Sequence, residues 1–401
     1  LKDKEGHRNA CRQKPLLLIL EDIHWADDLS FDLLSLLMDD LVENPIMLLC
    51  VYRPERDHKC WHIGDMASRK CPDKYTDITL KKLTDFQCRQ LVESLLTIDN
   101  LPDSVKNMIL RKSEGNPFFI EEVIRYLIDK GLISREDDRW KAKDELKDID
   151  VPDTIQSVLL SRVDGLESET RYILQCASVI GRLFRYRLLD HIAHRERSLN
   201  DHLSQLEDHE LIFEERTVPE KEYAFKHALT QEATYRGILE KKRMEFHNHI
   251  AEGMETLYKE RIEECYDELA YHYNKGGNLE KAIEYLIKAG DKSRLAFANH
   301  QAVTYYNEAL EKMEILADEK LSGLWEGKAL EGLGEVYYNL GEFRKVINSL
   351  QRAIPLAIKR GESPYRLADL HFWISDAMHL IGDWVEARDW AESGLDLLGD
   401  D

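Results

Sequence analysis

The chain has 401 residues, of which 43% are hydrophobic and 33% charged, with a formal net charge of −21. That length holds roughly two to four domains with sizeable cores, while the negative balance disfavours nucleic acid as principal partner, because phosphate backbones reward basic faces. No apolar run approaches the roughly 20 residues of a membrane span, no signal-peptide pattern is present, and seven irregularly spaced cysteines predict a reducing, cytoplasmic setting over a disulfide framework.

The aliphatic run Leu16 to Leu20 leads straight into Glu21 and Asp22. Such a run predicts a strand buried on both faces, as at the centre of a parallel sheet. Carboxylates at the carboxyl end of such a strand sit where open α/β sheets bind ligands. One can hold Mg²⁺ and its neighbour can orient an attacking water, the pattern of a Walker B strand. The competing reading is a core strand that ends in solvated acids. Residues 28–41 carry Leu29, Leu33, Leu36, Leu37 and Leu41 at helical spacing and predict a helix over the sheet. Asn44-Pro45 breaks it, and a second buried strand is expected over 46–52, ending at Arg53. A cation at that tip can sense a γ-phosphate, or be an ordinary surface arginine.

Residues 57–74 are polar and predict a surface loop; Cys60, His62 and Cys71 lack the paired CxxC of a structural zinc site. A helix over 80–96 opens at Thr84-Asp85, and another spans 104–113. Gly115 can end that helix and Pro117 suits the first turn of the next. Residues 137–150 are charged and predict a linker. Over 151–226 the pattern predicts a winged helix: helices over 154–163 (capped by Asp153), a second capped by Ser168, others over 187–193 and over 198–210, then wing strands over 211–216 and 222–226. The candidate recognition helix, 198–210, holds Asp201, Glu207, Asp208 and Glu210 and no Lys or Arg, the wrong sign for DNA contact. Beyond Ala228 the chain predicts helices only. The strings beginning at Gly277, Gly341 and Gly382 share one register, and Leu333-Gly334 with Tyr337-Tyr338 has the character of a tetratricopeptide first helix.

The string EDIHWAD (21–27) with its amphipathic sequel, and EGNPFF (114–119), resemble the signal-transduction ATPases with numerous domains, an AAA+-related branch fused to bacterial cyclases, kinases and maltose-activator-type regulators. The resemblance covers nearly the whole chain. It implies an α/β NTPase-core fragment (1–78), an all-α lid with linker (79–150), a winged helix (151–227), connecting helices (228–262) and a tetratricopeptide-like solenoid (263–401), predominantly α. It implies Glu21 as the metal-side acid and Asp22 as the water-side acid, Mg²⁺ on both, and Arg53 as sensor. Where Glu21 stands the family more often has Asp, which leaves the division of roles between the acids open. Pro117, after Gly115, is implied to pack on the adenine base, and His227 to approach the β-phosphate.

The phosphate-cradling GxxxxGK[ST] occurs nowhere in the 401 residues, and the family carries it upstream of the acids. The expectation is therefore a fragment that begins inside the NTPase core: a regulatory switch on ATP/ADP and Mg²⁺, inactive alone. The array would take a protein partner or small effector, with no direct nucleic acid and no membrane through this chain, and a nucleotide-dependent oligomer is expected. The alternative is a non-catalytic scaffold with a degenerate NTPase remnant.

Overall fold

A computed structural model describes residues 15–26, 28–41, 44–53, 59–95, 103–136, 139–143, 151–193, 198–316 and 319–399. The chain is predominantly helical and divides into two compact units, 1–82 and 83–401. None of the described helices is long and apolar enough to cross a membrane.

In the first unit β1 (Leu16–Leu20) pairs in parallel with β2 (Ile46–Cys50), in register from Leu16 opposite Ile46 to Leu20 opposite Cys50. Between them runs α1 (Asp28–Asp40), and α2 (Ile63–Lys70) follows. Phe31, Leu34 and Met38 of α1, with Cys60 and Ile63, form the core, against which Leu20, Leu48 and Cys50 pack. The expectation of burial on both faces is corrected here. Leu17, Ile19 and Met47 are 54%, 52% and 63% exposed, because the helices of this unit cover one face of the pair, so that side chains alternate in and out. The expected loop over 57–74 is also corrected. Described residues 59–74 form α2 flanked by 3₁₀ turns at Lys59–His62 and Pro72–Lys74, with Ile63, Met66 and Ala67 turned into the core.

The second unit opens with α3 (Asp85–Leu95), α4 (Asp103–Ser113) and α5 (Pro117–Asp129). They share a core of Val92, Ile109, Ile120, Val123 and Leu127. A hairpin of β3 (Ile133–Glu136) and β4 (Arg139–Ala142) follows. Of the linker expected over 137–150, residues 139–142 form β4, whose Trp140 packs on the α5 core, and residues 137–138 and 144–150 lie outside the described residues. Next come α6 (Ile155–Asp164), α7 (Ser168–Ile180), α8 (Tyr186–Ala193) and α9 (Leu199–Asp208). They surround a three-stranded antiparallel sheet of order β5-β7-β6, with β5 (Leu183–Arg185), β6 (Ile212–Arg216) and β7 (Glu222–Phe225). The cap of α6 is Thr154, not Asp153: its Oγ1 accepts from Ser157 N at 3.2 Å, while Asp153 pairs with Lys112 at 2.9 Å. At α7 the cap position is held by Glu167 rather than Ser168.

Among the described residues nine α-helices, with a 3₁₀ stretch at Lys259–Cys265, complete the unit: α10 (Ala228–Gly237), α11 (Glu240–Leu257), α12 (Tyr266–Lys275), α13 (Leu279–Leu295), α14 (Asn299–Leu316), α15 (Glu319–Asn339), α16 (Phe343–Lys359), α17 (Pro364–Ile381) and α18 (Trp384–Leu398). Each of the last six packs on the one before it. One hydrophobic cluster runs unbroken from Val163 on α6 to Val336 on α15; a second spans Val346 to Ala387. At the α10–α12 junction His247 and His272, both buried, approach Nδ1 to Nδ1 at 2.9 Å, and the Tyr235 hydroxyl lies 3.0 Å from His247 Nε2. Further along, Tyr306 of α14 is wholly buried between Gly290 of α13 and Gly332 of α15. A Cβ at either glycine would stand 2.7 Å and 2.4 Å from its ring. Its hydroxyl donates to Asp291 at 2.7 Å. Only glycine admits a ring this close to two helices.

Candidate functional site

The parallel register brings the exits of β1 and β2 to one end of the sheet. Val51 N donates to Leu20 O at 2.8 Å and Ile23 N to Val51 O at 3.3 Å, so Glu21 and Asp22 leave beside the segment that carries Arg53. The chain turns sharply at Asp22, whose φ of 54° is left-handed, a conformation that Asp adopts more readily than most residues. Glu21 and Arg53 are exposed and Asp22 is half-buried, so two hard oxygen donors and a cation meet solvent at one edge. Hard oxygens are the donor chemistry that suits Mg²⁺.

Beneath them lies a residue to which the sequence reading gave no role. His24 is 3% exposed, with Nδ1 3.5 Å from Arg53 N. Cys60 Sγ is 3.6 Å from Arg53 O. Both sides of the Arg53 backbone are thus held, and Cys60 serves as a structural thiol. Cys71 likewise donates to Met38 O at 3.4 Å. Among the described residues there is no group of three or more His, Cys, Asp or Glu placed to hold a metal ion.

In the second unit the Gly115–Phe118 turn is built by its own sequence. Glu114 and Gly115 have φ of 48° and 80°, which ends α4. Asn116 then caps α5 by accepting from Phe118 N at 3.0 Å, and Pro117 takes the first helical position, where its missing N–H costs nothing. Leu83 N donates to Gly115 O at 2.9 Å. Pro117 itself is exposed. The structure brings His227 to this turn: its ring lies 4.4 Å from that of Phe118. His227 Nε2 is buried and has no hydrogen-bond partner among the described residues. Burial, reinforced by Lys226, holds its pKa below the ordinary value, so the ring is neutral at pH 7 and presents an unmet polar atom.

Behind this turn is an ion network for which the sequence gave one cue, an arginine on the buried stripe of α6. Arg162 is 2% exposed at its side chain and Glu122 1%, at 2.5 Å. Arg162 also reaches Asp129 at 2.7 Å and donates to His209 O at 2.5 Å. Asp129 accepts from His209 Nδ1 at 3.0 Å. Burial alone would raise the Asp129 pKa, but the His209 bond and the Arg162 charge together bring it below the usual value; the same bond raises His209. Glu210 pairs with both Arg125 and Lys226. Burial opposes these pairs, yet they bring its carboxyl down to about 2. The network ties α5 to α6 and to the turn after α9.

Residues 84–141 match the model of a family described as a domain of unknown function (DUF8739), a match that takes in α3 to α5, the Gly115–Phe118 turn and Trp140. Over 334 residues the chain is 23% identical to the uncharacterized protein R02095 of Rhizobium meliloti (strain 1021), covering 81% of this chain and 31% of that protein. The chain thus spans about a third of the length of this relative. Among solved structures it is similar to a signal transduction ATPase with numerous domains (STAND) protein with a tetratricopeptide repeat sensor from Pyrococcus horikoshii. There the identity is 12% and the TM-score 0.40, over 95% of this chain and 62% of the other. BtubC from P. vanneervenii gives 14% identity and a TM-score of 0.19 over 58% of this chain and 91% of that one.

Proposed function

We propose that this chain is part of a regulatory ATPase switch, in which nucleotide state is coupled to a helical array that serves as sensor or partner platform. The observation that carries the reading is the placement of Glu21, Asp22 and Arg53 at one end of a parallel strand pair, within the EDIHWAD resemblance. On this reading 1–78 is the carboxyl part of an NTPase core, 79–150 a helical lid, 151–227 a winged helix and 263–401 a tetratricopeptide-like array acting in the cytoplasm. Glu21 and Asp22 are the residues that would hold Mg²⁺, which supplies charge neutralisation at a phosphate. Asp22 orients an attacking water, and Arg53 meets developing negative charge. Pro117 offers an apolar face to a base. The buried, neutral Nε2 of His227 offers a single polar contact beside it.

The test is Asp22→Ala in the full-length protein. ATP turnover should fall by about 10²-fold or more, in the range for removal of a positioned acid–base group, with nucleotide affinity retained. Unchanged turnover would refute the assignment. The 401 residues alone should not bind Mg·ATP at micromolar concentration, because GxxxxGK[ST] is absent from them. That same absence favours a second reading, a non-catalytic scaffold with a protein-binding array. It predicts no ATP turnover by the full-length protein at all.

A further inference from the structure

We propose that the cavity between α5, the β4 strand and the turn after α9 is a binding site for a small organic cation. Along α5, Glu121, Ile124, Arg125 and Ile128 follow i, i+3, i+4, i+7 spacing and so form one stripe, which lines a cavity of about 270 Å³. Trp140 forms a second wall and Asp208 belongs to a third.

The charges around this space are not equally engaged. Arg162 is taken up by Glu122 and Asp129, Arg125 by Glu210 and His209 by Asp129. Every cation on the wall is already matched. Glu121, half-buried, and Asp208, exposed, differ: among the described residues neither has a direct ion pair or hydrogen-bonded side-chain partner, and they act through space on His227 and His209 respectively. An anion would meet neutralised arginines and two bare carboxylates. A neutral apolar molecule would strip water from those carboxylates and return nothing. An ammonium or guanidinium meets both, and the Trp140 face adds attraction for the same sign of charge. Ile124 and Ile128 take a short methylene body. At about 270 Å³ the space lies just below the usual range for drug-sized ligands and suits a small cation.

Agmatine, with a guanidinium, an ammonium and a four-carbon body, is the probe, titrated calorimetrically into the 401-residue chain, with 1,5-pentanediol as the uncharged control. The expected result is saturable one-to-one binding by agmatine and none by the diol. Glu121→Gln and Asp208→Asn should each weaken it by about fivefold, the ~1 kcal/mol of a partly screened ion pair, and Trp140→Leu should weaken it further. All three variants should keep the parent's circular dichroism and melting profile. No saturable heat up to about 10 mM overturns the proposal. So does binding undiminished in Glu121→Gln and Asp208→Asn, which would mean general attraction to a chain of net charge −21.

Discussion

Replacement of Arg162 by Met strands the buried carboxylate of Glu122 and the partly exposed one of Asp129 at once. At a charge separation of about 4 Å, each guanidinium–carboxylate pair is worth ~4 kcal/mol at an effective dielectric of 20. Most of that offsets the desolvation of the three groups, so the intact network adds little net stability. Its disruption is another matter. With Glu122 1% exposed at its side chain, water cannot replace the guanidinium, and the cost is that of an uncompensated buried charge, about 3–5 kcal/mol. Asp129 suffers less, since His209 still donates to it. Arg162→Met should therefore lower the unfolding free energy by about 3–5 kcal/mol. Adding Glu122→Leu should restore about half of the loss, because the stranded charge is gone. Urea unfolding followed by far-UV circular dichroism measures both. A single-variant cost below about 1 kcal/mol, typical of a surface pair, would refute the reasoning, as would a double variant no more stable than the single.

Three further outcomes are expected. Gly332→Ala places a methyl 2.4 Å from Tyr306 Cζ and should cost about 1–3 kcal/mol by overpacking, with the loss relieved when Tyr306→Leu is combined with it, in urea melts of the four species. His247 and His272 are held by burial at pKa values of about 4 and about 3, below the ordinary 6.5. Their contribution is therefore fully present above pH 6.5 and is lost as pH falls from 6.5 towards 4; His272→Asn should flatten the difference between urea midpoints at pH 7 and pH 5. His209 has the opposite sign, because the hydrogen bond to Asp129 raises its pKa. Its contribution is complete below pH 6.5 and declines as pH rises through the folded-state value, so His209→Gln should reduce the loss of stability between pH 6 and pH 9.

What the sequence made legible was what depends on near neighbours. The aliphatic runs became β1 and β2, the Gly115–Pro117 turn acts as cap and helix start, and the glycines at 277, 341 and 382 adopt left-handed φ between helices. Short elements were lost: β5 has three residues, too few for periodicity to register, while α2 carries its inward Ile63, Met66 and Ala67 in a segment otherwise polar. The exposed outer face of β1 was lost for a different reason, since a run of aliphatics does not record how many layers will cover it. Partnerships were lost as well. Arg162 meets Asp129 and Glu122 across 33 and 40 residues, and its place among Val158, Leu159 and Val163 signals a buried charge without naming its partners. The Phe118–His227 contact spans more than a hundred positions, and only folding reveals it.

Two of the hydrophobic clusters of the second unit have a mechanical corollary. Everything from α6 to α15 shares one close-packed interior, so a load on α12 to α14 is passed to the β5-β7-β6 sheet without a joint to absorb it. The outer helices α16 to α18 have an interior of their own, and Tyr337 packs against both. That tyrosine and the extensive α15–α16 packing therefore couple the two interiors. A molecule that grips the outer helices therefore acts on the inner ones through the α15–α16 packing.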